Sequence, residues 1–162
     1  MFTDVPKHDS AALVADSPVR WNPAIRFSNP VTATAAKAVI DFIEEQNLLA
    51  NCTETGAYLR GKLEELQEKH ELIGEVRGMG LMQALELVED RRTKAPATAQ
   101  TAMLMEAARE NGLLVGKGGM FGNVLRVTPP MNVGRADVDQ FIEALDKSLV
   151  VCGAAAVAGS SR

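Results

Sequence analysis

One arginine stands in a run otherwise built for burial: Arg126 lies among Val124, Leu125 and Val127. A guanidinium keeps its charge and carries only donors, so one that faces inward needs a carboxylate, a phosphate or several carbonyls. If Leu125 and Val127 point to one side of a strand, Arg126 points to the other, with Val124. Spacing alone leaves two readings open. Arg126 is an anion site, or it lies on the wet face of a sheet.

The run Gly116-Lys117-Gly118-Gly119-Met120-Phe121-Gly122 invites a phosphate-loop reading. A phosphate cradle needs a strand, glycines and then a helix, so that amides and a helix terminus point at the anion. Here a strand pattern follows the glycines, which favours a flexible hairpin loop. Cys52 and Cys152 are far apart and match no metal spacing, so they read as reduced, structural cysteines of a cytoplasmic protein. His8 and His70 read as surface residues, and nothing has the spacing of a zinc site. No Ser-His-Asp set, Cys-His pair or close carboxylate pair emerges.

The totals bound what such residues could belong to. A chain of 162 residues with 46% hydrophobic and 23% charged residues can bury a core as one domain. Only 4% of it is aromatic, so Leu, Val, Ile, Ala and the 7 Met must fill that core. The net charge of −4 argues against a nucleic-acid partner, which would leave a basic stripe. No apolar run is long enough for a membrane span, and the first residues lack the pattern of a secretory signal.

The elements that position Arg126 follow from periodicity. Residues 1–28 are interrupted by Pro6, Pro18 and Pro23 and read as an irregular or disordered lead-in. Thr32–Asn47 sets Ala36, Val39, Ile40 and Ile43 on one helical face, and Gln46-Asn47 breaks it. A second helix follows, with Leu49, Cys52, Gly56, Leu59, Leu63 and Leu66 inward. Ile73–Arg77 and Leu81–Val88 read as strands joined through Gly78-Met79-Gly80. The charged run Glu89–Lys94 reads as a solvent-facing loop. Thr98–Asn111 is a helix with Ala102, Met105 and Ala108 inward, and Gly112 stops it. Leu113–Val115 and Val124–Val127 are two more strands, the second ended by Pro129-Pro130. A last helix spans Arg135–Leu149, with Val138, Phe141, Ile142, Leu145 and Leu149 inward. Gly134 is its N-cap, and Asp137 sits in its first turn. Residues 151–162 read as a flexible tail. The order of elements and their short links predict an α+β fold, with about four antiparallel strands and helices on one face.

Several segments, in order, resemble the C-terminal part of class III aminotransferases, the family of ornithine, 4-aminobutyrate and alanine–glyoxylate transaminases. Asn29-Pro30-Val31 with the Ala-rich helix through Asp41 resembles the family's lead into its interdomain helix. Leu72-Ile73-Gly74-Glu75-Val76-Arg77-Gly78-Met79-Gly80-Leu81-Met82 resembles its "I-G-(D/E)-V-R-G-x-G-L-M" segment, continued by Glu86-Leu87-Val88. Gly112–Gly119 and Asn123–Pro130 resemble its closing strands. The likeness covers about Asn29–Leu149, and the Gly-Lys-Gly-Gly form leans toward the alanine–glyoxylate branch.

The resemblance implies residues 29–150 as the small, substrate-closing domain of a pyridoxal-phosphate-dependent transaminase, opening with a long helix pair. It implies an amino acid and a 2-oxo acid as substrates. It puts Arg126 on the substrate α-carboxylate, a planar fork meeting a planar acceptor. The family's cofactor lysine, its pyridinium-nitrogen aspartate and its phosphate site have no match here. Lys117 falls in the closing hairpin and is not that lysine. Ile25-Arg26-Phe27-Ser28 stand where the family has Thr-x-Gly-Gly, so that family contact to a neighbouring subunit's cofactor phosphate is not carried over. The expectation is therefore a chain that holds no pyridoxal 5'-phosphate alone and is catalytically incompetent alone, partnered by copies of itself or by a separate large domain. A non-catalytic assembly module and a truncated gene remnant are the alternatives.

Overall fold

In the computed structural model the described residues are 30–159, with side chains to Gly153. The expected lead-in over residues 1–28, with His8 and the segment Ile25–Ser28, lies outside them. Two units are distinct, one ending at Glu45 and one beginning at Gln46. The first contributes helix α1, Pro30–Glu45. Its opening proline suits the first helical turn, where an amide hydrogen has no partner to lose. The expected apolar stripe is helical, yet no residue of α1 is buried and Val39 and Ile40 are exposed.

The break at Gln46-Asn47 is as expected. Asn47 takes the left-handed conformation at φ 50, which asparagine tolerates better than most residues. Helix α2, Leu48–Lys69, follows and buries Leu59, Leu63 and Leu66. The expected inward position at Leu49 is wrong by one residue: Leu49 is 69% exposed, and Leu48 is buried in its place.

Strands β1, Ile73–Met79, and β2, Met82–Asp90, form an antiparallel hairpin. Met79 pairs with Met82, so the turn is the two residues Gly80-Leu81 rather than the expected Gly78–Gly80. The charged run is not simply a loop. β2 extends to Asp90, and a short strand β3, Ala95–Pro96, pairs back on it. Asp90 caps the intervening turn by accepting from the amides of Arg92 and Thr93, both at 2.7 Å.

Helix α3, Thr98–Glu110, buries Thr101, Leu104, Ala107 and Ala108. Ala102, expected inward, is exposed. The helix is alanine-rich on more than one side, and the bulky Leu104 decides which side turns in. Gly112, at φ +78, ends it as predicted. The Leu113 amide donates to Ala108 O at 2.8 Å and the Gly112 amide to Arg109 O at 3.1 Å, the paired bonds of a Schellman cap.

The next strand is displaced from its expected place. Leu113–Val115 is unpaired, and β4 is Gly116–Gly118, inside the run that reads as a loop. β5 is Val124–Val127, as predicted. Helix α4 starts at Arg135, where Gly134 N–H donates to Asp137 Oδ2 at 2.9 Å, and runs to Gly159, past its expected end at Leu149. Residues expected as tail thus continue the helix, and Cys152 is buried in it.

The sheet order is β1-β2-β5-β4, antiparallel throughout, with β3 on β2. Val76, Leu85, Leu87, Leu125 and Val127 face a core shared with Leu59 and Leu63 of α2, Leu104 of α3, and Val138 and Leu145 of α4. Each fully buried leucine contributes roughly 1.5–3 kcal/mol. The fold is α+β, with helices on one face of the sheet. The other face carries Ala84, Glu86 and Arg126 and is not covered by this core.

Candidate functional site

Arg126 sits in the middle of that open face. Its neighbours Leu125 and Val127 are 0% and 4% exposed, whereas Arg126 is exposed. Of the two readings left by the sequence, the wet face is therefore its position in this chain. Alternation fixes this, because burying Leu125 and Val127 turns the residue between them outward.

Asn123 anchors the strand. It is 3% exposed, donates from Nδ2 to Leu87 O at 2.9 Å and accepts the Leu87 amide on its own carbonyl at 2.8 Å. β5 is thereby pinned to β2 three residues before Arg126. Register then sets Arg126 opposite Ala84 on β2 and Gly116 on β4, and Val124 opposite Glu86 and Gly118.

The arginine side chain lies over β4. A Cβ built on Gly118 would stand 3.4 Å from Arg126 Cδ and Nε, and one on Gly116 would stand 3.7 Å from Nη2. The two glycines form a bed for the guanidinium. An alanine would just touch it, and any larger side chain would occupy its space.

Among the described residues Arg126 has no hydrogen bond and no ion pair. Its neighbour on the same face differs. Arg77 donates to Glu75 at 3.0 Å and, by a shorter bond, to Glu86, and the bond to Glu86 holds its guanidinium still more firmly in the charged form. Arg126 also walls a cavity of about 270 Å³, otherwise mostly apolar, with Leu114, Val115, Val127, Pro129 and Phe141. A free guanidinium beside an apolar cavity can take a small anion with a short apolar body.

The other singled-out residues fall elsewhere. Lys117 pairs with Leu125, so it belongs to the opposite side of β4 from Arg126, and it is exposed. The glycine run contains β4 and leads into β5, with no helix directly after it. It thus lacks the strand-glycines-helix order of a phosphate cradle. His70, expected at the surface, has a side chain only 12% exposed, with Nε2 2.5 Å from Asp146 Oδ1. Lys69 Nζ bonds the same carboxyl at 2.5 Å, and these bonds, Lys69 first and His70 second, hold Asp146 below the usual carboxylate range. Cys52 and Cys152 are both free, and burial pushes the Cys152 thiol up. Among the described residues no His, Cys, Asp and Glu group could hold a metal, and no helix is long and apolar enough to cross a membrane.

Sequence reasoning missed the glycine bed, the Asn123 anchor and the Arg77–Glu86 pair. A signal for the first was present: glycines two apart, next to a strand with one outward arginine, place hydrogen where that arginine must lie.

An antiparallel sheet with helices on one face and an outward arginine in β5 is the class of structure the fold and the site define. The sequence model of class III aminotransferases matches residues 27–149, and the chain belongs to that family. It is 50% identical over 121 residues to the mitochondrial alanine–glyoxylate aminotransferase 2 homolog 2 of Arabidopsis thaliana, covering 75% of this chain and 25% of the relative. It is 41% identical over 119 residues to the taurine–pyruvate aminotransferase of Bilophila wadsworthia, covering 70% of this chain and 26% of that protein. Among solved structures, a transaminase with L-alanine superposes with a TM-score of 0.72 at 34% identity, over 79% of this chain and 30% of that one. A phospholyase from Arthrobacter in complex with phosphoethanolamine gives 0.72 at 34% identity, over 75% of this chain and 29% of that one. The chain spans about a quarter of the length of the curated relatives it matches.

Proposed function

We propose that this chain is the C-terminal, substrate-closing domain of a pyridoxal-phosphate-dependent transaminase, and that Arg126 binds the α-carboxylate of the amino acid or 2-oxo acid. The observation that carries this is the free guanidinium of Arg126, laid over two glycines on the open face of the sheet. A charge-assisted bond of this kind contributes about 1.5–3 kcal/mol. The relatives support the chemical class, since alanine, glyoxylate and pyruvate, in their names, are all small and carry a carboxylate.

Pyridoxal phosphate, when bound, supplies the electron sink for amino-group transfer. In this reading it is held by a large domain, and these 162 residues alone transfer no amino group. This chain contributes the strand that presents Arg126, the glycines that leave it room and the apolar cavity beside it.

Trapping the cofactor tests the division of labour. The purified chain is incubated with pyridoxal phosphate, reduced with borohydride, and mapped by peptide mass spectrometry. Weak labelling spread over surface lysines is expected. Stoichiometric labelling of one lysine, Lys117 above all, overturns it.

A second reading, a non-catalytic assembly module that packs on copies of itself or on a separately encoded large domain, is favoured by one observation. α1 carries Val31, Val39, Ile40 and Phe42 exposed along a helix with no buried residue. Exposed apolar side chains concentrated on one helix suit burial against a partner. A concentration-independent monomer in light scattering counts against self-association.

A further inference from the structure

Glu86 and Arg126 share the open face of the sheet but do not pair with each other. Ala84 is the register partner of Arg126, and Glu86 lies two residues along β2 on the same face. Such diagonal neighbours stand roughly 7–8 Å apart at Cα, within reach of long side chains. A glutamate and an arginine so placed attract each other, and an ion pair between them would cap the guanidinium that a substrate carboxylate needs.

They lean in opposite directions instead. Glu86 reaches to Arg77 on β1, and Arg126 lies the other way, over Gly116 and Gly118 on β4. Ala84 stands between them, with only a methyl group to fill the gap. Arg77 is itself opposite Ala84 from the β1 side, so the row across the sheet reads Arg77, Ala84, Arg126, Gly116. Glu75, the other acid on this face, is also bound by Arg77. Both carboxylates on this face of the sheet are thus held on the β1 side by one residue, while Asp137, which lines the cavity beside Arg126, accepts from the Gly134 amide at 2.9 Å.

We propose that Arg77 is a positioning residue that sequesters Glu86, and that with the Gly116–Gly118 bed it keeps Arg126 free for a carboxylate ligand. The proposal rests on the reading of Arg126 as the carboxylate anchor. It adds a residue two strands away that sets how freely that anchor binds. Without Arg77, Glu86 turns to the nearest remaining guanidinium, Arg126, and competes with the ligand. Arg77 touches no ligand, so its effect depends wholly on Glu86.

The test uses the full 162-residue chain. The Arg126 Nε–Hε resonance is followed by NMR, first alone and then during titration with pyruvate. In Arg77→Gln that resonance is expected to move before any ligand is added, and pyruvate binding to weaken roughly two- to fivefold, the scale of an exposed ion pair. Adding Glu86→Gln to Arg77→Gln is expected to return both to wild-type values, whereas Glu86→Gln alone leaves them nearly unchanged. Rescue by removing the acid is a result that a merely structural arginine does not produce. Arg77→Lys, which keeps a charge but loses the fork that holds Glu86, should shift the same resonance less, again reversed by Glu86→Gln, so the question is decided even where Arg77→Gln does not fold. An Arg126 resonance that stays in place in Arg77→Gln, or that Glu86→Gln fails to restore, overturns the positioning role and leaves the anchor reading intact. Absence of any pyruvate response in the wild type overturns the anchor reading, while the ligand-free shift and its reversal still decide whether Arg77 sequesters Glu86.

Discussion

Gly56 of α2 lies against the backbone of Gly80 in the β1–β2 turn, so closely that a Cβ on Gly56 would be 2.3 Å from the Gly80 carbonyl carbon. This contact seats α2 on the hairpin. Intrinsic helix propensity favours alanine over glycine by about 1 kcal/mol in a helix interior. Here the added methyl would meet backbone, which cannot rotate away, and overpacking of this kind costs about 1–3 kcal/mol or more. Gly56→Ala should therefore destabilise the chain by up to about 2 kcal/mol net, read as a lower urea midpoint. A raised midpoint would show that the helix can lift off the turn without loss.

Arg91 ties the end of α2 to the start of β1. Its Nε donates to Ile73 O at 3.2 Å and its Nη2 to His70 O at 2.9 Å, with a further short bond to Gln67 O. These carbonyls lie where a helix ends and a strand begins; Gln67 O is in the last turn of α2, and His70 O also accepts the Ile73 amide at 3.1 Å. Arg91→Ala should cost about 1–3 kcal/mol, the scale of leaving such acceptors unpaired. The neighbouring Arg92 is exposed and its side chain makes no such bonds, so Arg92→Ala should be nearly silent. Equal unfolding midpoints for the two variants would remove Arg91 from this role.

How much of this was legible depends on what each residue's position needs. Val124–Val127 was placed at residue level because alternation and the paired prolines act locally. The helices were found for the same reason, and in α3 Ala108 is buried and Met105 packs on the core as expected, whereas Thr101 and Leu104 turn inward in place of Ala102. β4 was misplaced because Leu113-Leu114-Val115 has strand composition and Gly116–Gly118 does not. Its pairing is chosen by β5, whose Arg126 needs a bed without side chains, and that demand comes from another strand. Arg91 and His70 looked like solvated charges for a similar reason. Their partners, carbonyls of α2 and Asp146 of α4, are brought near only by the fold. The proposed carboxylate role of Arg126 came from family resemblance, and geometry adds that its guanidinium has no partner among the described residues.

Asp146 gives the chain a pH-dependent term of known sign. Its carboxyl is held below the usual range by Lys69 first and His70 second. A carboxyl depressed in the folded state stabilises above its unfolded pKa, near 3.9, and that contribution is lost as pH falls through the depressed value. Asp146→Asn should lower stability by about 1 kcal/mol or less at neutral pH, where the acid is charged, since Lys69 is well exposed. The gap between variant and wild type should close as pH falls below about 4. Urea midpoints measured across that range check it, and a gap that is constant with pH would assign the effect to packing.

Arg126→Ala carries the functional question furthest. Arg126 is exposed, has no partner among the described residues and adds little to the core, so its removal should leave folding within about 0.5 kcal/mol of wild type. Joined to a cofactor-bearing large domain in a full-length class III enzyme, the same variant should lose roughly 10- to 150-fold in kcat/KM for carboxylate-bearing amino donors, the equivalent of one charge-assisted bond of about 1.5–3 kcal/mol. Absorbance of the bound cofactor should not change, because this strand supplies none of its contacts. Amines without a carboxylate give the control: they never use the guanidinium, so their turnover should hold. A uniform loss across both classes of donor would mean that Arg126 shapes the closed domain rather than gripping the substrate.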